Sequence, residues 1–251
     1  MLTNLLISSK IYVDFMIYGI IAAGEGSRLS NEGYEGLKPM VFINGEMMID
    51  RLINVFVLNK AEAIHVIINE NSNDLLAHLN SLKLAIPLNI IVKNTRSSLH
   101  SFHELLLAAP EIDALCLTTT DTIFDKEEFG QYIDNFTTNT DNDGLLAVTS
   151  YIDDESPLYV NFNSELRISQ ITDQPVSTDL FVSGGIYCLR KKALALVPVA
   201  IETGVDRMRN FQRLMISNDL VLNAYNFKKI MDVDHVSDIE KAEGFLNEIE
   251  Y

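Results

Sequence analysis

The sequence has few cysteines, few basic residues and no tryptophan. Its 251 residues include two cysteines and 19 lysines and arginines, against 35 aspartates and glutamates. The formal net charge of −16 would repel a phosphate backbone over most of the surface, which argues against nucleic-acid binding. Cys116 and Cys188 lie within apolar runs, so we expect buried thiols in a reducing cytoplasm, without zinc-type spacing.

Long apolar runs are also missing. No stretch approaches the roughly 18 uninterrupted apolar residues that a membrane span needs. With 47% hydrophobic residues and no low-complexity tract or linker, residues 16–251 are predicted to form a single α/β domain. Residues 1–15 lack the basic start and cleavage site of a secretion signal and are interpreted as an N-terminal extension. Met1 and Met16 are both candidates for the biological start.

The most informative segment is an apolar run that breaks abruptly into glycines and charge. Residues 16–23 indicate a buried strand, and Gly24-Glu25-Gly26-Ser27-Arg28 follows at once. Glycines let the backbone approach a ligand closely and leave its amide groups unobstructed. Arg28 adds a cationic fork, and Lys38 adds a point charge ten positions on. This combination favours polyphosphate binding; a glycine turn with two solvated cations is the alternative.

Two better-known phosphate loops do not match. The P-loop needs Gly-x-x-x-x-Gly-Lys-Ser/Thr, which this segment lacks. The dinucleotide fingerprint needs a third small residue where Leu29 stands, with a helix opening at the glycines. The polar residues from Ser30 to Gly36 instead predict an extended loop that covers a nucleoside triphosphate.

The segment from Gly19 to Leu52 resembles the signature of the nucleotidyltransferases that make activated sugars and related headgroups. The family pattern is Ala-x-Gly-x-Gly-Ser/Thr-Arg-Leu, then Lys-Pro-Met-x-x-Ile-x-Gly and a helix. This chain has Ala-Ala-Gly-Glu-Gly-Ser-Arg-Leu at 22–29 and Lys-Pro-Met-Val-Phe-Ile-Asn-Gly at 38–45. The resemblance implies a Rossmann-like, glycosyltransferase-A-like fold and a role in nucleotide-sugar biosynthesis. The residues that it implies in nucleotide binding are Ala22, Ala23, Gly24, Gly26, Ser27, Arg28, Lys38 and Ser98.

The hydrophobic periodicity agrees with such a fold. In the first half, apolar strands alternate with helices, which predicts right-handed crossovers and a mostly parallel sheet flanked by helices. In the second half, strands follow one another with short connections, which predicts antiparallel additions. The predicted strands there are 145–151, 158–162, 167–172 and 181–189, with a strand pair within 221–233. The predicted helices there are 191–197, 205–217 and 237–248.

Two acids are candidates for binding Mg²⁺. Asp121 follows an apolar strand, at the sheet edge where ligands of open α/β sheets gather, and carboxylate oxygens suit Mg²⁺. Asp232 and Asp234 resemble the family's late Asp-x-Asp, and Asp234 is preferred because it lies at the strand's end. The alternatives are an N-cap role for Asp121 near Asp125 and a helix-entry role for Asp234. We expect Ser237 or Asp238 to cap the final helix.

Weaker signals concern the base and the acceptor. Ser98 opens a helix where the family reads the nucleobase, and Ser183-Gly184-Gly185 resembles the family's small-residue turn beside the acceptor. Sugar-specific members place Glu-Lys-Pro before that turn, whereas this chain has Asp-Gln-Pro at 173–175. A hexose 1-phosphate acceptor is therefore in doubt. The pair His100 and His103 is interpreted as a surface feature, since no third metal ligand accompanies it.

The resemblance predicts transfer of a nucleotidyl group from an NTP to a phosphorylated small acceptor, with release of pyrophosphate and dependence on Mg²⁺. Arg28, Lys38 and Asp121 are the predicted catalytic residues. A glycosyltransferase of similar fold is an alternative, but it would carry a second acid where Ile123 stands. A nucleotide-binding regulatory module is another. The base, the acceptor and homo-oligomer formation stay open.

Overall fold

The computed structural model describes residues 16–109 and 112–249. The predicted extension, residues 1–15, lies outside them. The strands are β1 (Met16–Ala22), β2 (Phe42–Ile43), β3 (Glu46–Met47), β4 (Ala61–Ile68), β5 (Leu88–Val92), β6 (Ala114–Thr119), β7 (Thr122–Phe124), β8 (Gly144–Thr149), β9 (Tyr159–Phe162), β10 (Ile168–Thr172), β11 (Val182–Arg190), β12 (Leu222–Phe227) and β13 (Ile230–Asp232). The helices are α1 (Ser27–Asn31), α2 (Met48–Leu58), α3 (Asn73–Ser81), α4 (Ser98–Ala108), α5 (Lys126–Thr138), α6 (Lys191–Leu194), α7 (Leu196–Glu202), α8 (Met208–Ser217) and α9 (Val236–Ile249), with a 3-10 turn at Lys38–Met40.

Four parallel strands form the centre of the main sheet, in the order β6-β1-β4-β5. They are mostly apolar, as expected for strands that helices cover on both faces. One face packs on α2, α3 and α5, and the other packs on α4, α7 and α8. Two separate apolar cores result, one on each side of the sheet, as expected for strands joined by helical crossovers.

The second half adds antiparallel strands, as predicted. β11 is antiparallel to both β6 and β8, and β9 is antiparallel to β10. The α/β class with a parallel centre and antiparallel additions is confirmed. Within the described ranges, no helix is long and apolar enough to cross a bilayer. Cys116 and Cys188 are buried free thiols opposite each other on β6 and β11.

Three sequence predictions of local structure are wrong. The strand pair predicted within 221–233 does not form, because β12 joins β8 in the main sheet and β13 pairs with β7. The single helix predicted at 191–197 is divided into α6 and α7. The extended loop predicted after Arg28 begins with the short helix α1, which Leu29 anchors by packing, 1% exposed, in a third apolar cluster.

Candidate active site

The phosphate-binding segment and Asp121 lie at the same edge of the sheet. β1 and β6 are adjacent and parallel, with Ile21 opposite Thr119. Both strands therefore end together, and the residues that follow them, Gly24 and Asp121, emerge side by side. This is the edge where ligands of open α/β sheets gather.

A two-stranded ribbon brings the second acid to this edge. β13 pairs antiparallel with β7, so that Asp232 lies opposite Thr122. The Val233 N–H then donates to the Asp121 carbonyl oxygen at 3.0 Å. Because β7 follows Asp121 directly in the chain, the ribbon fixes Asp234 beside Asp121.

The cations reach the same point through a sharp turn at Gly26. This residue has a φ of 62°, a left-handed conformation that favours glycine. A Cβ on Gly26 would also lie 3.0 Å from the Lys38 Cβ. Pro39 is buried in the 3-10 turn that carries Lys38, so the lysine leaves a rigid backbone. The Lys38 side chain is 13% exposed.

The cations and acids form one ion-pair cluster. The Lys38 Nζ lies 2.6 Å from the Asp121 Oδ2 and 2.6 Å from the Asp234 Oδ1. The Arg28 guanidinium donates to the other oxygen of Asp234. The structure thus brings together the four residues that the sequence analysis singled out for phosphate and metal binding.

The pKa values in the cluster follow from this pairing. Burial opposes the charge on Lys38, but the carboxylates of Asp121 and Asp234 raise its pKa overall. Burial likewise opposes the charge on Asp121, but Lys38 lowers its pKa overall. Desolvation by neighbouring protein groups and repulsion by Asp121 and Asp234 raise the pKa of Asp232 to about 8, although the residue is exposed at the cleft.

These residues suit a magnesium ion. The Asp121 Oδ1 is buried and has no hydrogen-bond partner within the described residues, which leaves one carboxylate oxygen available as a ligand. In the part of the chain that the structure describes, no three His, Cys, Asp or Glu side chains are grouped for metal binding. A site formed by Asp121 and Asp234 would therefore depend on water and phosphate oxygens for its other ligands, which is the usual pattern for Mg²⁺.

Two cavities meet at the cluster. The larger, of about 630 Å³, is lined by all the residues predicted to bind the nucleotide: Ala22, Ala23, Gly24, Gly26, Ser27, Arg28, Lys38 and Ser98. The smaller, of about 240 Å³, is lined by Ser183 and Gly184 among others. Arg28 and Asp234 line both cavities, so a group bound in one cavity would meet a group bound in the other at the ion-pair cluster.

The glycines near the smaller cavity have reasons that the sequence did not reveal. A Cβ on Gly184 would lie 2.3 Å from the Ile230 Cδ1, so a larger residue there would have to displace the end of that side chain on β13. Gly185 has a φ of 74° and is not among the residues that line the cavity. Its predicted role beside the acceptor stays a prediction, while Ser183 and Gly184 do lie at the cavity wall.

The alternative roles for the acids are resolved in part. Asp125, not Asp121, caps α5, since its Oδ1 accepts from Glu127 N–H at 2.7 Å. α9 begins at Val236, so Ser237 and Asp238 lie in its first turn and not at the N-cap position, although Asp238 does cap the preceding backbone. The Asp238 Oδ2 instead accepts from the N–H groups of Asp234 and His235 at 3.1 and 2.8 Å, which supports the loop that carries the acid.

Sequence reasoning missed Glu32. Its carboxylate accepts from the His235 Nδ1 at 2.6 Å and from the Val236 N–H at 2.8 Å. Hydrogen bonds from His235 and Val236 lower the pKa of Glu32, and Glu32 in turn raises the pKa of His235. No local pattern predicts a contact between residues this far apart.

Two further groups of side chains lie near the cavities. Arg96 lines the larger cavity, and its guanidinium lies 3.0 Å from the His100 Nε2. Asp173, at the place of the family's Glu-Lys-Pro, forms ion pairs with Arg209 and Arg213 of α8 at 2.9 and 2.7 Å. None of these three residues lines the smaller cavity.

Comparison with known proteins agrees with this geometry. Residues 19–248 match a family model described as nucleotidyl transferase. No curated protein matches the chain significantly in sequence. The inositol-1-phosphate CTP transferase from T. maritima superposes with a TM-score of 0.75 and 16% identity, over 94% of this chain and 96% of that chain.

Two other solved structures are similarly close. A putative glucose-1-phosphate thymidylyltransferase from Bacillus anthracis, in complex with a sucrose, gives a TM-score of 0.78 and 17% identity over 92% of this chain and 94% of that one. A CMP:2-keto-3-deoxy-manno-octonic acid synthetase complexed with CTP gives a TM-score of 0.72 and 13% identity, over 94% of this chain and 99% of that one. At these identities the superpositions establish the shared fold.

Proposed function

The chain belongs to the nucleotidyl transferase family, and we propose that it joins an NTP to a phosphorylated small acceptor in a Mg²⁺-dependent reaction that releases pyrophosphate. The observation that carries this proposal is the ion-pair cluster between two cavities. Lys38 and Arg28 contact Asp121 and Asp234 at the point where the cavities meet. A nucleotide in the larger cavity and an acceptor in the smaller one would have their reacting ends at this point.

The roles of the cations follow from their positions. Arg28 and the amides from Gly24 to Ser27 would hold the β- and γ-phosphates and offset the charge that develops on pyrophosphate. Lys38 would hold the α-phosphate and the attacking oxygen of the acceptor. Transfers of this kind depend mainly on positioning and on stabilisation of charge. Because both cations contact carboxylates in the free protein, each must exchange a carboxylate for a phosphate when substrate binds.

Asp121 and Asp234 would hold the magnesium ion. Bound Mg²⁺ would supply Lewis-acid polarisation of the phosphate at the reaction centre. The two carboxylates would position that charge on the side of the cleft opposite Gly24–Ser27. The partnerless Asp121 Oδ1 supports this assignment.

The acceptor is proposed as a class. A hexose phosphate, a polyol phosphate, phosphocholine, a phosphonate headgroup or a cofactor phosphate would each fit the reaction. The absence of the family's lysine at 173–175 argues against a hexose 1-phosphate held in the usual way.

Acceptor-dependent release of pyrophosphate tests the function directly. The purified protein is assayed with CTP, UTP, GTP, dTTP and ATP, each with Mg²⁺ and with glucose 1-phosphate, inositol 1-phosphate, glycerol 3-phosphate or phosphocholine. We expect release with one preferred base, only when an acceptor is present, and abolished by EDTA. Binding of a nucleotide sugar with no pyrophosphate release from any pair would favour a glycosyltransferase. Nucleotide binding without turnover would favour a regulatory module.

A thermal-shift screen with the same nucleotides identifies the base first. A ligand that binds only the folded protein raises its melting temperature according to its affinity. The preferred NTP should therefore give the largest shift in the presence of Mg²⁺.

A further inference from the structure

Glu32 connects two segments on opposite sides of the cleft. It directly follows α1, in the segment that carries Arg28, and it contacts the loop between Asp234 and α9. The carboxylate accepts from the His235 Nδ1 at 2.6 Å and from the Val236 N–H at 2.8 Å. Val236 is the first residue of α9, so Glu32 also supplies negative charge at a helix N-terminus, where such charge is stabilising.

Among the described residues, the other polar links from the segment 24–38 to Asp121 and to the Asp234 loop involve groups that the proposed reaction needs. Arg28 and Lys38 contact Asp234, and Lys38 contacts Asp121. In the proposed reaction these cations would bind phosphate oxygens and the two carboxylates would hold the metal. The direct ion pairs between the two sides in the free protein would then be lost.

The contacts of Glu32 involve none of the four residues of the ion-pair cluster, although His235 lines the smaller cavity. They can persist while Arg28 and Lys38 change partners. Leu29, buried beside Val233 in the third apolar cluster, fixes the base of the segment. Glu32 fixes its far end, and its carboxylate is 40% exposed, so a substitution there need not disturb the core.

We propose that Glu32 is a positioning residue that holds the Arg28 segment against the Asp234 loop in the nucleotide-bound enzyme. This inference rests on the proposed function, because it assigns Glu32 to the state in which the catalytic cations bind phosphate. The residue itself contacts neither substrate.

Hydrogen exchange and steady-state kinetics together test this role. The informative amides are those of Ser30, Glu32, Gly33 and Tyr34, whose acceptors lie within residues 26–30. The test variant is Glu32→Ala. Glu32→Gln keeps an oxygen that can accept from the Val236 N–H, and Glu35→Ala removes an exposed charge from the same segment as the matched control.

In the presence of Mg²⁺ and the preferred NTP, we expect Glu32→Ala to exchange these amides about tenfold faster than the wild type. The KM for the nucleotide should rise about fivefold, as for loss of an exposed ionic contact, while kcat stays within about twofold. Glu32→Gln should recover part of both effects, and Glu35→Ala should show neither. A lower melting temperature in Glu32→Ala, with exchange and KM like those of Glu35→Ala, would overturn the proposal.

Failure of the proposed function would be recognised separately. If the wild type releases no pyrophosphate with any NTP and acceptor, the reaction assigned above is wrong. Hydrogen exchange in the presence of each Mg²⁺–nucleotide still decides whether Glu32 holds the segment. Unchanged exchange in Glu32→Ala under those conditions would refute its role whatever the reaction is.

Discussion

On the cationic side of the cleft, the binding groups follow one another from Gly24 to Lys38, whereas the acidic side is assembled from distant strands. Asp121 and Asp234 come 83 and 196 positions after Lys38. The cationic side depends on local backbone geometry, chiefly the turn at Gly26. The acidic side depends on the pairing of β7 with β13. The two sides should therefore fail in different ways when they are altered.

The largest effect is expected on the cationic side, in activity. Lys38→Ala should lower kcat/KM for pyrophosphate release by about 10²–10³, or about 3–4 kcal/mol of barrier, by analogy with the loss of an oxyanion donor. Lys83→Ala, which removes an exposed lysine outside both cavities, is the control and should leave turnover unchanged. Near-normal turnover in Lys38→Ala would remove Lys38 from the mechanism.

On the acidic side we expect a loss of stability. Ile123 on β7 is 2% exposed and lies opposite Met231 on β13. Ile123→Ala should lower the free energy of unfolding by about 3 kcal/mol, measured by urea denaturation, because it leaves a cavity in the ribbon that positions Asp234. Leu58→Ala truncates a side chain that is 74% exposed and should change stability by less than about 0.5 kcal/mol. Equal effects of the two substitutions would show that the ribbon is not packed as described.

We expect a smaller difference in stability between substitutions of the two glycines on the cationic side. Gly26→Ala places a Cβ on a residue with φ of 62°, at 3.0 Å from the Lys38 Cβ, and should destabilise the fold by about 1–2 kcal/mol. Gly24→Ala meets no atom within 4 Å and should be nearly neutral for stability. Melting temperatures of the two variants provide the measurement. A reversed order would contradict the turn geometry.

The smallest effect is expected at an ion pair outside the cleft. This pair sharpens the comparison because, unlike the pairs within the cleft, it is not enclosed by protein. A hydrogen bond from Arg213, with help from Arg209, lowers the pKa of Asp173, which is exposed. Since the folded-state pKa is lowered, this stabilisation is present at neutral pH and is lost as the pH falls through the lowered value. Asp173→Asn should cost less than about 1 kcal/mol at pH 7, measured by urea denaturation. The difference from wild type should vanish at pH values below the lowered pKa, and a difference that grows on acidification would contradict this sign.

The contrast between contiguous residues and residues from distant strands also determines what could be predicted from the sequence. The strands, the crossover helices, the cationic segment and the position of Asp121 follow from periodicity and from a contiguous pattern. The β7–β13 pairing did not, because Thr122–Phe124 is only three residues long and its partner lies more than 100 positions away. Glu32 was missed for the same reason: its partners His235 and Val236 lie 203 and 204 positions away in the sequence.

Local rules also misjudged α1. The polar residues after Arg28 are typical of an extended loop, but Leu29 packs against Val233 and Ile123 in the third apolar cluster. Tertiary packing thus stabilises one helical turn although the intrinsic helical preference of its residues is weak. Gly184 shows a similar limit, since the close approach of Ile230 to this residue is visible only in the fold.

The central claim is that Lys38 and Asp121 act as parts of one site although they come from different sides of the cleft. A double-mutant cycle on kcat/KM for pyrophosphate release, with Lys38→Ala, Asp121→Asn and the double variant, measures their coupling. The account predicts strong non-additivity, with the double variant within about tenfold of the more damaged single variant. If the two effects simply multiply, the residues act independently and the account is contradicted.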